Sequence, residues 1–214
     1  MDPIGVVDWR RKVFALYAQV RVAATPEVGH GLWRRGRDAL LRTHAASPVP
    51  SADRVDVVGA DVAPYDPAWR FVCTVEPGDG ARWDAQTGTD GVVPFERCGT
   101  VRLPNVGTLD VWRLCSYGGG LFVPVRDAVA GREGGTYGGG RYVVDTAKGA
   151  DLGGRDGTLV IDLNLAYAPS CAYDAAWACP LPPVGNRVDV PIPVGERHPL
   201  RHASRATARG RLQA

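Results

Sequence analysis

The sequence predicts a mainly β protein of the α+β class, in which two N-terminal helices pack on a mostly antiparallel β-sandwich or barrel. Apolar residues recur at helical spacing before Pro50 and alternate with polar residues after it, as they do in strands. The 214-residue chain also holds 27 glycines and 17 prolines, which indicates many turns. Since helices do not alternate with the predicted strands, a doubly wound parallel sheet is disfavoured.

The helical part contains two segments with their own start signals. Residues 8–22 place apolar side chains at helical spacing, and Asp8 is the expected N-cap of that helix. The second helix is expected to follow Thr25, because Pro26 suits a first helical position and an acidic residue comes next. Its apolar pattern predicts an end near residue 43.

The strands are predicted from alternation and from short apolar runs. Valine and isoleucine alternate strictly over residues 188–194, which predicts a last strand. Pro191 and Pro193 place that strand at an edge, because proline donates no ladder hydrogen bond. The other predicted strands comprise residues 71–75, 108–114, 121–125, 142–144 and 159–163.

Changes in composition divide the chain into three segments. Residues 1–50 are the helical segment, and residues 51–200 are a β-rich domain that forms one folded unit with it. Residues 201–214 contain almost no large apolar side chain and several arginines, so we expect a disordered basic tail.

Charge and cysteine content exclude several classes of function. The net charge is only +2, so no general basic field is available for nucleic acid. The chain has no apolar run of transmembrane length and no signal-peptide pattern at its start, so no membrane association is expected. Five cysteines, an odd number, favour reduced thiols and a cytoplasmic location.

The common catalytic and cofactor motifs are absent from the sequence. The chain has no P-loop, no dinucleotide fingerprint, no Gly-x-Ser-x-Gly, no His-Glu-x-x-His and no Cys-x-x-Cys. Cys171 and Cys179 have seven residues between them and do not complete a tetrahedral metal site by themselves. We therefore expect neither a metal nor a cofactor.

Five strong hydrogen-bonding side chains lie within or beside apolar strands: Arg126, Asp127, Arg141, Asp162 and Asn164. If they are buried they must be paired, because an unpaired buried polar group costs several kcal/mol, roughly 2–7. One interpretation is an internal network in which either arginine pairs with either aspartate. The other is a ligand pocket, in which Asp162 and Asn164 project from the same face of a strand.

The pocket interpretation assigns specific roles. Tyr142, Arg141 and Asp162 are the candidate catalytic residues, with tyrosine as a proton donor and arginine as an oxyanion partner. A shaped pocket of this kind suits a cofactor-independent cyclisation, isomerisation or related rearrangement of an organic metabolite. The candidate substrate-binding residues are Tyr117, Arg126, Tyr137, Asn164, Tyr167 and Tyr173.

Other interpretations stay open. The chain is alternatively a non-catalytic protein that binds a metabolite or another protein, or a barrel that holds flavin or haem. A homodimer is compatible with each of these. The arginine-rich helix at residues 33–44 is read as a solvated face on which some arginines clamp the helix to the sheet, because no aromatic interleaving supports nucleic-acid binding.

Several motifs make the chain resemble the bacterial family known as domain of unknown function 1684. The most specific are Ala-Tyr-Ala-Pro-Ser-Cys-Ala-Tyr at 166–173 and Trp-Ala-Cys-Pro-Leu at 177–181. The resemblance implies one folded unit and a bacterial source, and it brings no assigned activity. The remaining matching segments are residues 31–38, 65–71, 117–127, 136–142, 148–153 and 195–197.

The chain also departs from the pattern of that family. Ala168 stands where the family usually has asparagine, and Leu163 and Leu41 stand where it usually has phenylalanine. Val125 replaces a larger residue, and residues 134–135 resemble an insertion. If these positions line the pocket, the resemblance implies a roomier and more apolar site with its own substrate in specialised biosynthesis.

Overall fold

The computed structural model describes residues 2–57, 59–87 and 91–198, so the predicted tail at 201–214 lies outside the described residues. Helix α1 spans Pro3–Arg21 and helix α2 spans Pro26–Thr43. The prediction for α2 is confirmed, since the Thr25 hydroxyl accepts a hydrogen bond from the Val28 amide.

The predicted start of α1 is wrong by about one and a half turns. The N-cap is Asp2, whose carboxylate accepts hydrogen bonds from the amides of Ile4 and Gly5, and a proline follows it directly. Asp8 therefore lies inside the helix and does not cap it. Its carboxylate instead lies 2.8 Å from Lys12 Nζ and 2.9 Å from a ring nitrogen of His44, the C-cap of α2.

Within the described residues, eight strands form two antiparallel sheets, which confirms the predicted mainly β, α+β architecture. The larger sheet has the order β2-β4-β5-β6-β7, and β3 also pairs with β4. The smaller sheet consists of β1 and β8. The strands are β1 Arg70–Thr74, β2 Glu76–Pro77, β3 Arg82–Gln86, β4 Val92–Leu103, β5 Gly107–Leu114, β6 Leu121–Val125, β7 Arg141–Asp145 and β8 Thr158–Asp162.

The long strand β4 and its partner β3 were not predicted from the sequence. Polar residues interrupt the apolar pattern of β4, and its register shifts at a β-bulge between Arg97 and Gly99. The longest strand of the sheet therefore lacks a clear period of two, although its backbone pairs with β2, β3 and β5.

Two apolar layers hold the elements together. The main core lies between the two sheets and includes Val101, Leu109, Val123 and Ile161, all fully buried. A second cluster beneath the helices joins side chains of α1 and α2 to the chain that follows β8, through Tyr17, Trp33, Leu41 and Leu165. The helical pair is thereby packed against the β part of the molecule.

The predicted edge strand at residues 188–194 does not form. Val188, Ile192 and Val194 are buried as the alternation indicates, but the segment crosses the core as an irregular strap. Its backbone bonds are few, such as the amide of Ala128 donating to the carbonyl of Val190. Two prolines remove amide donors from the segment, so a continuous ladder is excluded. None of the described helices is apolar and long enough to span a membrane.

Candidate functional site

An open cleft of about 700 Å³ lies between α1, the loop from β5 to β6, and the short 3₁₀ helix Thr146–Lys148 after β7. This volume falls in the range of pockets for small organic ligands, roughly 300–1,000 Å³. Gly118, Gly119 and Gly120 all have positive φ at its rim. They allow the loop to turn tightly and to bring the Leu121 amide within 2.7 Å of the Thr146 hydroxyl.

The floor of the cleft is aromatic. Phe95 and Phe122 line it, with ring centroids 5.4 Å apart in a stacked arrangement. Behind them, Trp83 stacks on Phe95 at 4.8 Å, and Tyr142 meets Phe122 edge-on at 4.7 Å. Because these rings support one another, the floor is a preformed apolar surface.

Three charged side chains line the same cleft: Arg10, Asp145 and Lys148. Lys148 Nζ lies 3.7 Å from an Asp145 oxygen, and the Lys148 amide donates to the other oxygen at 3.2 Å. Burial raises the pKa of Asp145, although Lys148 and Arg10 act in the opposite direction. Two cations beside one nearly buried carboxylate leave a positive balance that suits an anionic group.

A second cavity of about 60 Å³ lies behind Tyr142 and Lys148. Tyr17, Arg37, Tyr167 and Ala168 also line it, but its volume holds a few water molecules and no metabolite. The Tyr17 hydroxyl is buried here, with no hydrogen-bond partner among the described residues. Burial raises the pKa of that hydroxyl far above its ordinary value.

A buried network next to this cavity attaches α2 to the end of the described chain. Arg37 Nε donates to Glu196 Oε2 at 2.6 Å, and the Tyr173 hydroxyl donates to the other oxygen of the same carboxylate. The guanidinium also donates to the carbonyl of Ala168 at 3.1 Å and lies 4.9 Å above the ring of Tyr167. An arginine of the basic helix therefore clamps that helix to the β part, as expected.

The predicted catalytic residue Arg141 lies in the protein interior and lines neither the cleft nor the small cavity. It donates to Asp127 Oδ2 at 3.1 Å and to the backbone carbonyls of Ile192, Val194 and Glu196 at 2.5–3.3 Å. Burial lowers its pKa to about 10, while the two nearby carboxylates raise it. These contacts favour the internal-network interpretation for this arginine.

Asp162 and Asn164 form a second internal network. The expectation that they share a strand face is wrong, because β8 ends at Asp162 and residues Leu163–Leu165 form a 3₁₀ turn. The Asp162 carboxylate accepts from the amide and side chain of Asn164 and from Arg70 at 3.0 Å. Asn164 in turn accepts from the amide of Asp66 at 2.8 Å, so the pair ties a loop to β8.

The predicted tyrosines are divided among separate places. Tyr142 and Tyr167 line the small cavity with ring centroids 5.7 Å apart, and the Tyr142 hydroxyl donates to the carbonyl of Pro180 at 2.7 Å. Tyr173 reaches the same region through the carboxylate network, whereas Tyr117 is fully exposed at the cleft rim.

Tyr137 and Arg126 lie away from the cleft. The Tyr137 hydroxyl lies 3.8 Å from the sulfur of Cys171, and Arg126 Nε donates to the carbonyl of Gly138 at 2.9 Å. Of the predicted site residues, Tyr117 alone lines the larger cleft. Within the described residues, no group of three or more His, Cys, Asp or Glu side chains is arranged to hold a metal ion.

Sequence reasoning missed the charged residues of the cleft. Lys148 carried a usable signal, because it is one of two lysines in a chain that otherwise uses arginine. Asp145 directly follows a predicted buried strand, which is a second signal. Arg10 and the apolar Phe14, which also lines the cleft, gave no such signal in the sequence, because both lie on the exposed side of an ordinary helix.

These features define an α+β protein in which a helical pair covers an antiparallel sheet and borders an aromatic cleft of small-molecule size. The chain belongs to the family described as Protein of unknown function (DUF1684), whose model matches residues 57–197. The resemblance seen in the motifs is thereby confirmed, while the bacterial source that it implies stays a prediction.

One solved structure is similar to the chain over most of its length. It is the solution NMR structure of an uncharacterized protein of Haloarcula marismortui, with 33% sequence identity and a TM-score of 0.58. The match covers 79% of this chain and 92% of that one. No curated protein matches the chain significantly.

The departures from the family pattern fall mostly outside the cavities. Leu163 and Val125 pack in the main core, and Leu41 packs beneath the helices. Ala168 alone among these lines the small cavity. The resemblance implies an asparagine at that position, so the expected departure places a small apolar side chain at the small cavity, and none of these positions lines the larger cleft.

Proposed function

We propose that the chain is a cofactor-independent enzyme of bacterial specialised metabolism, which binds a small organic acid with an apolar body in the cleft and isomerises or rearranges it. One observation carries the proposal: the cleft of about 700 Å³ combines an aromatic floor with two cations and a nearly buried carboxylate. A ligand cleft with a titratable group of perturbed pKa is a typical arrangement of an active site.

Binding follows from the two kinds of surface. The exposed Phe14 and the partly buried Leu121, above the buried rings of Phe95 and Phe122, remove an apolar or aromatic body from water, which supplies the affinity. Arg10 and Lys148 attract the acidic group and orient it at one end of the cleft. Tyr117, which is fully exposed at the rim, offers a further ring that a ligand in the cleft can contact.

Proton transfer is assigned to Asp145. A carboxylate whose pKa is raised by burial is a stronger base than an exposed one, and general bases are effective when their pKa approaches the working pH. Lys148, 3.7 Å away, stabilises the negative charge that develops on the substrate after a C–H proton is removed. Of the residues predicted from sequence, Tyr117 lines the cleft and Tyr142 contacts the Phe122 ring edge-on.

Binding is tested with two fluorescent probes of similar shape. Anilinonaphthalene sulfonate is aromatic and anionic, whereas N-phenyl-1-naphthylamine is neutral. We expect Lys148→Met to weaken binding of the anionic probe by about three- to tenfold and to leave the neutral probe unchanged. Lys12→Met is the matched control, because Lys12 lies on the surface outside the cleft. An equal loss in both variants would show that the probe binds elsewhere.

Catalysis is tested with phenylpyruvate, an aromatic 2-oxo acid with an acidic C–H bond. Proton NMR in deuterium oxide measures exchange at that carbon above the buffer rate, which we expect to be lost in Asp145→Asn. Asp156→Asn is the control, because Asp156 is exposed and asparagine tolerates its positive φ. Equal exchange in Asp145→Asn and wild type would refute the role of Asp145. Binding of the acid without any exchange would leave the non-catalytic binding interpretation.

A further inference from the structure

Two of the five cysteines meet in the fold. The backbone amide of Cys171 donates to the sulfur of Cys179 at 3.3 Å, and the two thiol groups interact electrostatically. The other three are apart from this pair: Cys73, Cys98 and Cys115 donate to backbone carbonyls of β4 and β5. Their closeness in sequence alone does not bring the two cysteines together, because the backbone between them must reverse direction.

The surroundings of the pair activate one sulfur. The pKa of Cys179 is lowered by the hydrogen bond from the Cys171 thiol, despite burial, and further by the Cys171 amide and the charge of Lys148. The same thiol–thiol bond and burial raise the pKa of Cys171, whose sulfur also contacts the Tyr137 hydroxyl. The amide donor therefore favours negative charge on the sulfur of Cys179, and the Cys171 thiol is held beside it.

We propose that Cys171 and Cys179 are a redox-active dithiol, which a small hydroperoxide closes to a disulfide and an external dithiol reopens. Nothing in this proposal depends on the ligand of the cleft. A small oxidant is required because Cys179 is only 7% exposed, whereas hydrogen peroxide is little larger than water.

The oxidation takes place in two balanced steps. The Cys179 thiolate attacks one oxygen of hydrogen peroxide, the O–O bond breaks, and hydroxide leaves as water after taking a proton from solvent; the product is a sulfenic acid. Cys171, after losing its proton, attacks the sulfur of Cys179, and the S–O bond breaks as a second water leaves. Two thiols are oxidised and one peroxide is reduced to two waters.

The segment between the cysteines permits the closure. Residues 175 and 176 are exposed at the tip of the turn, so the backbone there can adjust without disturbing the core. On either side, Cys171 belongs to the 3₁₀ helix Ser170–Ala172, and Cys179 precedes Pro180, whose carbonyl accepts from Tyr142.

The pair is tested by oxidising the reduced full chain with hydrogen peroxide, followed by alkylation and mass spectrometry. Cleavage before aspartate separates Cys171, in peptide 162–173, from Cys179, in peptide 174–188. We expect these two peptides to be joined after oxidation and separated by dithiothreitol, while the exposed Cys115 stays available for alkylation. Unlinked peptides after oxidation, or preferential oxidation of Cys115, would overturn the proposal.

Two variants assign the roles of the two sulfurs. Cys171→Ser is expected to accumulate a sulfenic acid on Cys179, which dimedone traps, because no second thiol can resolve it. Cys179→Ser should give little trapped product at Cys171. The reverse pattern would overturn the assignment of Cys179 as the attacking thiolate. Far-UV circular dichroism of both variants shows whether each is folded, and peptide linkage in the wild-type chain tests the proposal without either variant.

Discussion

Removing the guanidinium of Arg37 should be among the most destabilising single substitutions in the chain. The side chain is 12% exposed and the Glu196 carboxylate 1% exposed, so the pair lies almost entirely out of water. Arg37→Met keeps the apolar stem and deletes the donors to Glu196, Ala168 and Tyr173. The carboxylate then keeps the Tyr173 hydroxyl as a donor and has lost its charge partner.

The magnitude follows from that loss. Breaking a buried ion pair from one side costs about 3–5 kcal/mol, because the remaining charge is left uncompensated. The partial exposure of Arg37 and the surviving Tyr173 contact place the expectation near the lower end, at about 3 kcal/mol. For a chain of this length that corresponds to a fall in Tm of about 6–12 °C.

Urea denaturation followed by tryptophan fluorescence and circular dichroism measures the free energy of unfolding. Arg35→Met is the matched control, because Arg35 is exposed on the same helix and should change stability by less than about 0.5 kcal/mol. Adding Glu196→Gln to Arg37→Met removes the orphaned charge, so the double variant should be more stable than the sum of the single effects predicts. A loss in Arg37→Met no larger than in Arg35→Met would refute the reasoning, as would strict additivity.

Three further outcomes are expected. Asn186→Ala should cost about 2–4 kcal/mol in urea denaturation, because the buried amide accepts from Trp112 and donates to two backbone carbonyls; a loss below about 1 kcal/mol would contradict this. Burial raises the folded-state pKa of Asp145, so the contribution of this group to stability is present below its unfolded pKa and is lost as pH rises through the folded pKa. Asp145→Asn should therefore gain stability relative to wild type as pH rises above the ordinary aspartate pKa of about 4, and a constant difference would exclude the shift. The Cys171–Cys179 disulfide closes a nine-residue loop and should stabilise the oxidised chain by about 2.5 kcal/mol. The shift in the urea midpoint of unfolding between the two redox forms measures this gain. An unchanged midpoint would mean that strain in the disulfide offsets the loop entropy.

Local signals account for the parts of the fold that the sequence predicted. The threonine and proline at the start of α2 act through atoms within three residues of each other, so their geometry needs no distant partner. Strand β6 matches its predicted bounds because five apolar residues stand between a glycine run and a charged residue. Local signals were insufficient for the strap at 188–194. The alternation of apolar residues predicted correctly which side chains are buried, but it could not predict whether a neighbouring strand is available for backbone hydrogen bonding.

The candidate site was harder to predict, because its residues are distant in sequence. The internal-network interpretation allowed either arginine to pair with either aspartate, and of these pairs Arg141 and Asp127 form one, at a separation of 14 residues. Arg37 and Glu196 are 159 residues apart, and no spacing rule connects them. The tyrosine pattern likewise could not show that Tyr142 faces a small cavity while the larger cleft opens on the other side of Phe122.

The arginines of the internal networks differ in burial from the two cations that line the cleft. Arg141 is buried and the Arg37 side chain is 12% exposed, and each guanidinium binds one carboxylate and at least one backbone carbonyl, a geometry for which its planar fork of donors is suited. A ligand could recruit either only by breaking an internal network that costs several kcal/mol, roughly 3–5. Arg10 and Lys148 lie at the cleft surface, and Lys148 is 45% exposed, so binding an anion there desolvates much less. The cations most accessible to an anionic ligand therefore lie outside the core, where apolar sequence patterns do not identify them.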